Sequence, residues 1–260
     1  MPEFASFESF DGVAIAYYAW GTDAGRRPPV VLHHGFVVNA QLNWVLPGVV
    51  DALISAGRQV YALDARGHGL SGKPHDPASY GEGAMSRDLS RLLDLIGAPA
   101  VHLVGYSMGG FVSLLTAASD RRVARLIVGG VGASVVELGG VETRAVPRAA
   151  LTDALLAQDP STIADRGAAA FRNLADLAGS DRRALAAQVS AAHESLIPLS
   201  DITAPTLVLV GADDQLAVRP QVLAAAIPGA RLQVIPGDHL SAVTGPDFAP
   251  AIVSFLAGEG

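Results

Sequence analysis

The sequence contains no cysteine among its 260 residues. Disulfide bonds, thiolate metal sites and a cysteine nucleophile are therefore excluded. Long apolar runs are also missing, since the longest stretch, residues 126–136, contains three glycines and is shorter than the roughly 18 residues that a membrane span needs. The N-terminus lacks the basic flank and apolar core of a secretory signal. We expect a cytoplasmic protein with no membrane partner.

Positive charge is scarce, with 18 Lys and Arg against 25 Asp and Glu and a formal net charge of −7. Because no cluster of lysines or arginines is present, the chain is a poor candidate for binding nucleic acid. No His-Glu-x-x-His spacing predicts a metal site, and neither a dinucleotide fingerprint nor a phosphate-binding loop is found. We expect a small-molecule substrate without a cofactor or metal. The sequence is silent on oligomeric state.

Short, nearly continuous apolar runs alternate with helical stretches along most of the chain. Such runs are typical of strands buried on both faces of a parallel sheet. An Asp-Gly pair at positions 11 and 12 predicts an N-terminal antiparallel hairpin. The pattern predicts an α/β fold with a doubly wound, mostly parallel sheet of about eight strands. We predict strands at 4–10, 13–20, 29–33, 59–63, 101–104, 123–128, 206–210 and 232–235, and helices at 41–55, 83–96, 108–118, 220–226 and 246–256.

One region interrupts this alternation with helical segments rich in alanine. Helix start signals occur at Asp159 and at Asp181. We predict that residues 132–200 form a helical cap inserted between the two parts of the core, 1–131 and 201–260.

One motif combines a serine with flanking glycines where a strand meets a helix. Residues 105–110 read Gly-Tyr-Ser-Met-Gly-Gly and follow the apolar run 101–104. A serine on such a sharp turn projects its hydroxyl beyond the sheet, and glycines avoid collisions with neighbouring backbone. The N-terminus of the next helix directs free N–H groups toward developing negative charge. The motif predicts Ser107 as a nucleophile, although a glycine-rich turn with an incidental serine has the same pattern.

With two further segments, the chain resembles the α/β-hydrolase fold superfamily, in particular its serine esterase-like and lactonase-like members with a helical cap. The segments are 33–36 (His-His-Gly-Phe) and 64–71 (Asp-Ala-Arg-Gly-His-Gly-Leu-Ser). The resemblance covers nearly the whole chain. It implies the chain order serine, acid, histidine, and here Asp214 and His239 each follow a predicted strand. Open α/β sheets place their sites at these strand ends.

The three residue types divide the chemistry between them. A serine hydroxyl is a weak nucleophile and needs a base, for which His239 is suited near neutral pH. A carboxylate on the other ring nitrogen fixes the tautomer and stabilises the cation. The resemblance favours Asp214 for this position, and Asp213 is the alternative. Asp238 is adjacent to the histidine and is not expected to reach the far side of its ring.

The resemblance further implies an oxyanion hole made by the backbone N–H groups of Phe36 and Met108. It gives His34 and His68 structural positions near that loop. A pocket under the cap would be apolar, although its candidate side chains could equally pack the cap onto the core. The predicted lining residues are Phe36, Val37, Trp44, Met108, Val131, Leu216 and Leu240.

The predicted activity is cleavage of a carboxylic ester of a small, largely apolar substrate through an acyl-enzyme. A serine at position 107 argues against the dehalogenases and epoxide hydrolases of this fold, which carry aspartate there. A lactonase, a C–C bond hydrolase or a cofactor-free perhydrolase with the same triad is an alternative. The glycine-rich loop common in C–C hydrolases is absent, since Phe36 follows Gly35. A non-enzymatic, receptor-like protein that binds a small ligand is the alternative from another class.

Overall fold

The computed structural model describes residues 4–22, 27–191 and 196–258. Within these ranges it contains eight strands, β1 (Phe4–Glu8), β2 (Ala14–Trp20), β3 (Val30–His33), β4 (Val60–Leu63), β5 (Val101–Tyr106), β6 (Val123–Gly129), β7 (Thr206–Gly211) and β8 (Arg231–Ile235). They form one sheet in the order β1-β2-β4-β3-β5-β6-β7-β8. β2 pairs antiparallel with β1 and β4, and all other neighbours are parallel. The predicted mixed, mostly parallel sheet is confirmed.

From β3 onward, each strand of the described residues is followed along the chain by one or more α-helices. They are α1 (Val49–Ser55), α2 (Glu82–Ile96), α3 (Met108–Ser119), α4 (Ser134–Glu137), α5 (Arg148–Leu156), α6 (Arg166–Leu177), α7 (Arg182–Ser190), α8 (Pro220–Ala226), α9 (Ser241–Thr244) and α10 (Phe248–Ala257).

Helices cover both faces of the sheet, as a doubly wound fold requires. One apolar cluster joins the sheet to α2, α3 and α8, and a second joins its other face to α1 and α10. Along the central strand β5, Leu103 belongs to the first cluster and Val104 to the second. Side chains of a strand alternate between faces, so a strand apolar on both faces is buried on both sides. This is why the apolar runs of the sequence lack alternation.

The predicted helix over 41–55 is wrong in its middle. The chain forms a single π-helical turn at Gln41–Val45, and α1 starts only at Val49. Pro47 lacks the N–H that a continuous helix needs. Gly48 follows with φ 78°, a left-handed conformation that glycine adopts without steric cost. The interruption separates the buried Trp44 from α1.

The chain between β6 and β7 forms helices α4 to α7, and no strand occurs in the described residues of this region. Asp159 caps a 3₁₀ turn at Pro160–Thr162, and Asp181 caps α7 by accepting two backbone N–H groups. The predicted helix start at Asp181 is confirmed, whereas the signal at Asp159 starts only this 3₁₀ turn, and the next α-helix, α6, is capped by Asp165. Leu151, Leu155 and Leu185 from this region form a separate apolar cluster. In the described part of the chain, no helix is both long and apolar enough to cross a bilayer.

Candidate active site

Ser107 occupies a strained turn between β5 and α3. Its φ is 51° and its ψ −116°, and a non-glycine residue with positive φ costs on the order of 1–3 kcal/mol. Its N–H donates to Gly129 O at 2.8 Å, and its carbonyl accepts the Gly110 N–H at 2.8 Å. The turn is thus tied to β6 on one side and to α3 on the other. Ser107 lies at the wall of the apolar cavity described below.

The glycines around Ser107 are required by close backbone contacts. A Cβ built on Gly105 would lie 2.1 Å from Gly109 O, and one built on Gly109 would lie 2.1 Å from His33 O. Both distances are far below any van der Waals contact. The glycines therefore let α3 start directly against β3 and β5, which brings the serine to the carboxyl edge of the sheet.

His239 and Asp214 meet in the loops that follow β8 and β7. His239 Nδ1 lies 2.8 Å from Asp214 Oδ2, and the carboxylate side chain is fully buried. Asp214 Oδ1 accepts backbone N–H groups from Leu216 at 2.9 Å and Ala217 at 3.1 Å. These bonds fix the carboxylate toward the ring. A histidine that donates Nδ1–H to a carboxylate keeps a lone pair on Nε2, as a general base requires.

The two neighbouring aspartates do not contact the ring in this way. Asp213 is exposed. Asp238 Oδ1 accepts bonds from Leu240 N, Ser241 N and Ser241 Oγ, and these bonds hold the pKa of its carboxyl below the ordinary value. Asp238 thus orders the turn into α9. The geometry favours Asp214 over Asp213 as the acid.

Tyr106 connects the serine turn to the histidine loop. Its hydroxyl donates to His239 O at 2.6 Å, and the two rings lie 5.2 Å apart. Gly130 lines the same cavity as Ser107, and a Cβ built on it would lie 3.0 Å from His239 Cε1. The ring of His239 is therefore next to Gly130, which lines the cavity together with Ser107.

The predicted oxyanion donors also border this space. Met108 is the first residue of α3, where backbone N–H groups have no partner within the helix. Phe36 lies in the loop after β3, and a Cβ on the preceding Gly35 would lie 3.4 Å from Ser107 Cβ. Phe36 and Met108 both line the cavity. The two candidate N–H groups thus come from two separate elements, the loop after β3 and the first turn of α3.

The cavity lies between the sheet and the helices that follow β6. Its volume is about 120 Å³, compared with roughly 10–15 Å³ for a single water. It has space for a short acyl chain. Phe36, Met108 and Phe111 line it from the core, and Leu151, Phe171 and Val189 from α5, α6 and α7.

The wall differs from the sequence prediction at four positions. Leu216 lines the cavity as predicted, with Phe36 and Met108, but Val37, Trp44, Val131 and Leu240 are not part of its wall. Trp44 is fully buried and stacks on Phe248. Val131 is buried in the core cluster that contains α3, and Val37 is buried in the cluster of α5 to α7. Leu240 is 59% exposed. Chain proximity to the motifs did not determine where these side chains point.

Sequence reasoning missed the polar part of the wall. Glu82, Glu142, Arg148 and Gln188 all line the cavity. Burial raises the pKa of Glu82, against the effect of the positive charge of Arg148. The carboxylate of Glu142 instead binds Arg144 through two hydrogen bonds. These residues belong to no motif, so the sequence carries no signal for them.

Among the described residues, no group of three or more His, Asp or Glu side chains is arranged to hold a metal ion. The buried histidines near the site instead bind backbone. His34 Nε2 accepts the Ala65 N–H at 2.9 Å, and His68 Nε2 accepts the Val37 N–H at 3.2 Å. Both act in the structural manner expected from the sequence.

Comparison with known proteins agrees with this geometry. The family described as alpha/beta hydrolase fold matches residues 28–133, which include the Phe36 loop and the Ser107 turn. The sn-1-specific diacylglycerol lipase ABHD11 of Mus musculus is 31% identical over 269 residues, covering 94% of this chain and 85% of that protein. The 2-hydroxy-6-oxo-2,4-heptadienoate hydrolase of Pseudomonas putida is 32% identical over 213 residues, covering 75% of each.

A solved structure extends the likeness over the complete fold. The enol-lactonase from Burkholderia xenovorans LB400 superposes with a TM-score of 0.74 at 26% identity, covering 97% of this chain and 100% of that one. The lipase, the hydrolase and the lactonase all cleave their substrates by hydrolysis, as their names state. By sequence and by structure, the chain belongs to the α/β-hydrolase fold family.

Proposed function

We propose that the protein is a serine hydrolase that cleaves a carboxylic ester through an acyl-enzyme intermediate. Ser107 Oγ attacks the ester carbonyl while His239 Nε2 accepts the hydroxyl proton, and Asp214 stabilises the resulting imidazolium. The N–H groups of Phe36 and Met108 stabilise the oxyanion. His239 then protonates the leaving alcohol. Water next attacks the acyl-enzyme, with His239 as base, and releases the acid.

One observation carries the proposal. His239 Nδ1 bonds to Asp214 Oδ2 at 2.8 Å, and the ring of His239 is next to Gly130, which lines the cavity together with Ser107. A buried carboxylate facing a histidine next to a serine on a strained turn is the arrangement that acyl transfer needs. This arrangement argues against a protein that only binds a ligand.

The substrate class follows from the wall of the cavity. Most of the lining is aliphatic or aromatic, which suits an uncharged, largely apolar acyl group. The limited volume favours a short chain. The polar wall residues Glu82, Arg148 and Gln188 provide contacts for a hydroxyl or carbonyl group elsewhere on the substrate.

The helices between β6 and β7 serve as a cap in this proposal, with residues 132–200 as the inserted unit. Support comes from the cavity, to which α5, α6 and α7 contribute Leu151, Phe171 and Val189. Without them, the serine would face solvent on that side. Exclusion of water strengthens the electrostatic interactions of the site.

The test is hydrolysis of p-nitrophenyl butyrate by the wild type, Ser107→Ala and a matched control, Ser119→Ala. Ser119 is the last residue of α3, and its hydroxyl bonds only to carbonyls of its own helix. We expect Ser107→Ala to lose activity on the scale of about 10⁶ in kcat, while the control stays at the wild-type level. A Ser107→Ala enzyme with near-wild-type turnover would overturn the mechanism.

A second measurement separates the alternatives if the folded wild type does not turn over this ester. Labelling of Ser107 by a serine-directed phosphonate would support its assignment as the nucleophile. The substrate range would then be more restricted, for example to lactones, as for the enol-lactonase that this fold resembles. Absence of both turnover and labelling would favour a non-enzymatic ligand-binding protein.

A further inference from the structure

Val37 has a backbone conformation that its side chain disfavours. Its φ is 75°, in the left-handed region, where a β-branched residue is a clear outlier. It directly follows Phe36, the proposed oxyanion donor. Residues keep such conformations only where the surrounding structure over-determines them, and such strain is concentrated at functional sites. The contacts of Val37 therefore indicate what shapes this loop.

The core of the protein holds the N–H of Val37. This group donates to His68 Nε2 at 3.2 Å, and His68 Nδ1 lies 3.0 Å from Arg66 O, to which it donates. His68 is buried, and burial lowers its pKa well below the ordinary value. The ring is therefore neutral, which leaves Nε2 free to accept. On the other side of Phe36, Gly35 N–H donates to Asn43 Oδ1 at 2.8 Å.

The helical cap holds the other two groups of Val37. Ser180 Oγ donates to Val37 O at 2.7 Å from the turn between α6 and α7. The Val37 side chain is 1% exposed and packs into the apolar cluster of the cap, with Leu151 and Leu185 among its members. Phe36 is also in contact with the cap, since its ring lies 6.0 Å from that of Phe171.

The strained peptide after Phe36 is thus clamped between two layers, with its N–H side fixed by the core and its carbonyl fixed by the cap. We infer that Ser180 is a positioning residue for the oxyanion hole, through which a seated cap holds the Phe36–Val37 backbone in its catalytic conformation. The inference rests on the proposed function. Stabilisation of the transition state would then depend on how the cap packs on the core. Ser180 acts through the oxyanion donor Phe36 and not through Ser107 or His239.

The test compares Ser180→Ala with the conservative Ser180→Thr and with Ser190→Ala. Ser190 is a matched control because its hydroxyl donates at 2.8 Å to Ala186 O within its own helix. We expect Ser180→Ala to lower kcat about 10- to 100-fold, the scale of a misplaced catalytic group. KM should change much less than kcat, because Phe36 is the one residue of this loop in the cavity wall. Ser180→Thr should restore most of kcat, and Ser190→Ala should leave it unaltered.

Hydrogen–deuterium exchange gives a readout that does not need turnover. We expect faster exchange of the amides in 35–39 for Ser180→Ala, but not for Ser190→Ala, under conditions in which urea unfolding shows both variants to be fully folded. Unchanged exchange and kcat in Ser180→Ala would overturn the inference, as would equal losses in the control. If the wild type hydrolyses no ester, the proposed function fails, and the exchange data alone then decide whether Ser180 holds the loop.

Discussion

Replacement of Asp214 by asparagine tests the assignment of the acid most directly. The structure indicates how the new amide would orient. Oδ1 of Asp214 accepts two backbone N–H groups, from Leu216 and Ala217. An NH₂ group cannot accept them, so the asparagine carbonyl must take this position. Its NH₂ group then faces His239 Nδ1, at the place where Oδ2 accepts today.

The consequence is a change of tautomer in His239. Facing a donor, Nδ1 must accept, and the ring proton moves to Nε2. A protonated Nε2 cannot take the proton of Ser107. We therefore expect kcat to fall on the order of 10⁴-fold, or about 5 kcal/mol of transition-state stabilisation. The fold should persist, because the backbone hydrogen bonds and the shape of the side chain are kept.

The assay is steady-state hydrolysis of p-nitrophenyl butyrate, with Asp213→Asn as the matched control. Asp213 is exposed, and the hydrogen bonds described for it involve its backbone. Its substitution should change kcat by no more than about twofold, the usual size of surface effects. Urea unfolding of both variants verifies the fold. A larger loss in Asp213→Asn than in Asp214→Asn would refute the assignment.

Two further predictions concern buried groups around the site. Tyr106→Phe removes the hydroxyl that binds His239 O at 2.6 Å. We therefore expect a loss of about 1 kcal/mol in the free energy of unfolding and a lower kcat at unchanged KM. A wild-type free energy in urea unfolding together with a wild-type kcat in steady-state kinetics would contradict this. Burial lowers the pKa of His33 to about 3 and that of His102 to about 4. As the pH falls, the unfolded chain therefore protonates these histidines before the folded chain does. The free energy of unfolding is highest well above pH 6.5, and toward pH 4 it falls by about 1.4 kcal/mol per pH unit for each ring. Urea unfolding measured at pH 7, 6 and 5 checks this slope, and a flat profile would show that the rings do not stay neutral in the fold.

The sequence was sufficient to predict the architecture and to propose the reactive residues. Strands buried on both faces need continuous apolar runs, and such runs can be recognised in the sequence alone. Ser107, Asp214 and His239 could be proposed from the sequence because each belongs to a turn after a strand, and strand ends meet at one edge of a parallel sheet. Helix starts such as Asp181 could be predicted because capping depends only on neighbouring residues.

Only the tertiary structure decided what surrounds these residues. Trp44 packs beneath the sheet, and Glu82 and Arg148 line the cavity, because the direction of a side chain depends on which elements pack against its own. The hydrogen bond from Ser180 to Val37 O joins two residues that are 143 positions apart in the chain. Local motifs are set by short-range sterics and hydrogen bonding, whereas such contacts exist only once the helices between β6 and β7 have packed against the rest of the chain.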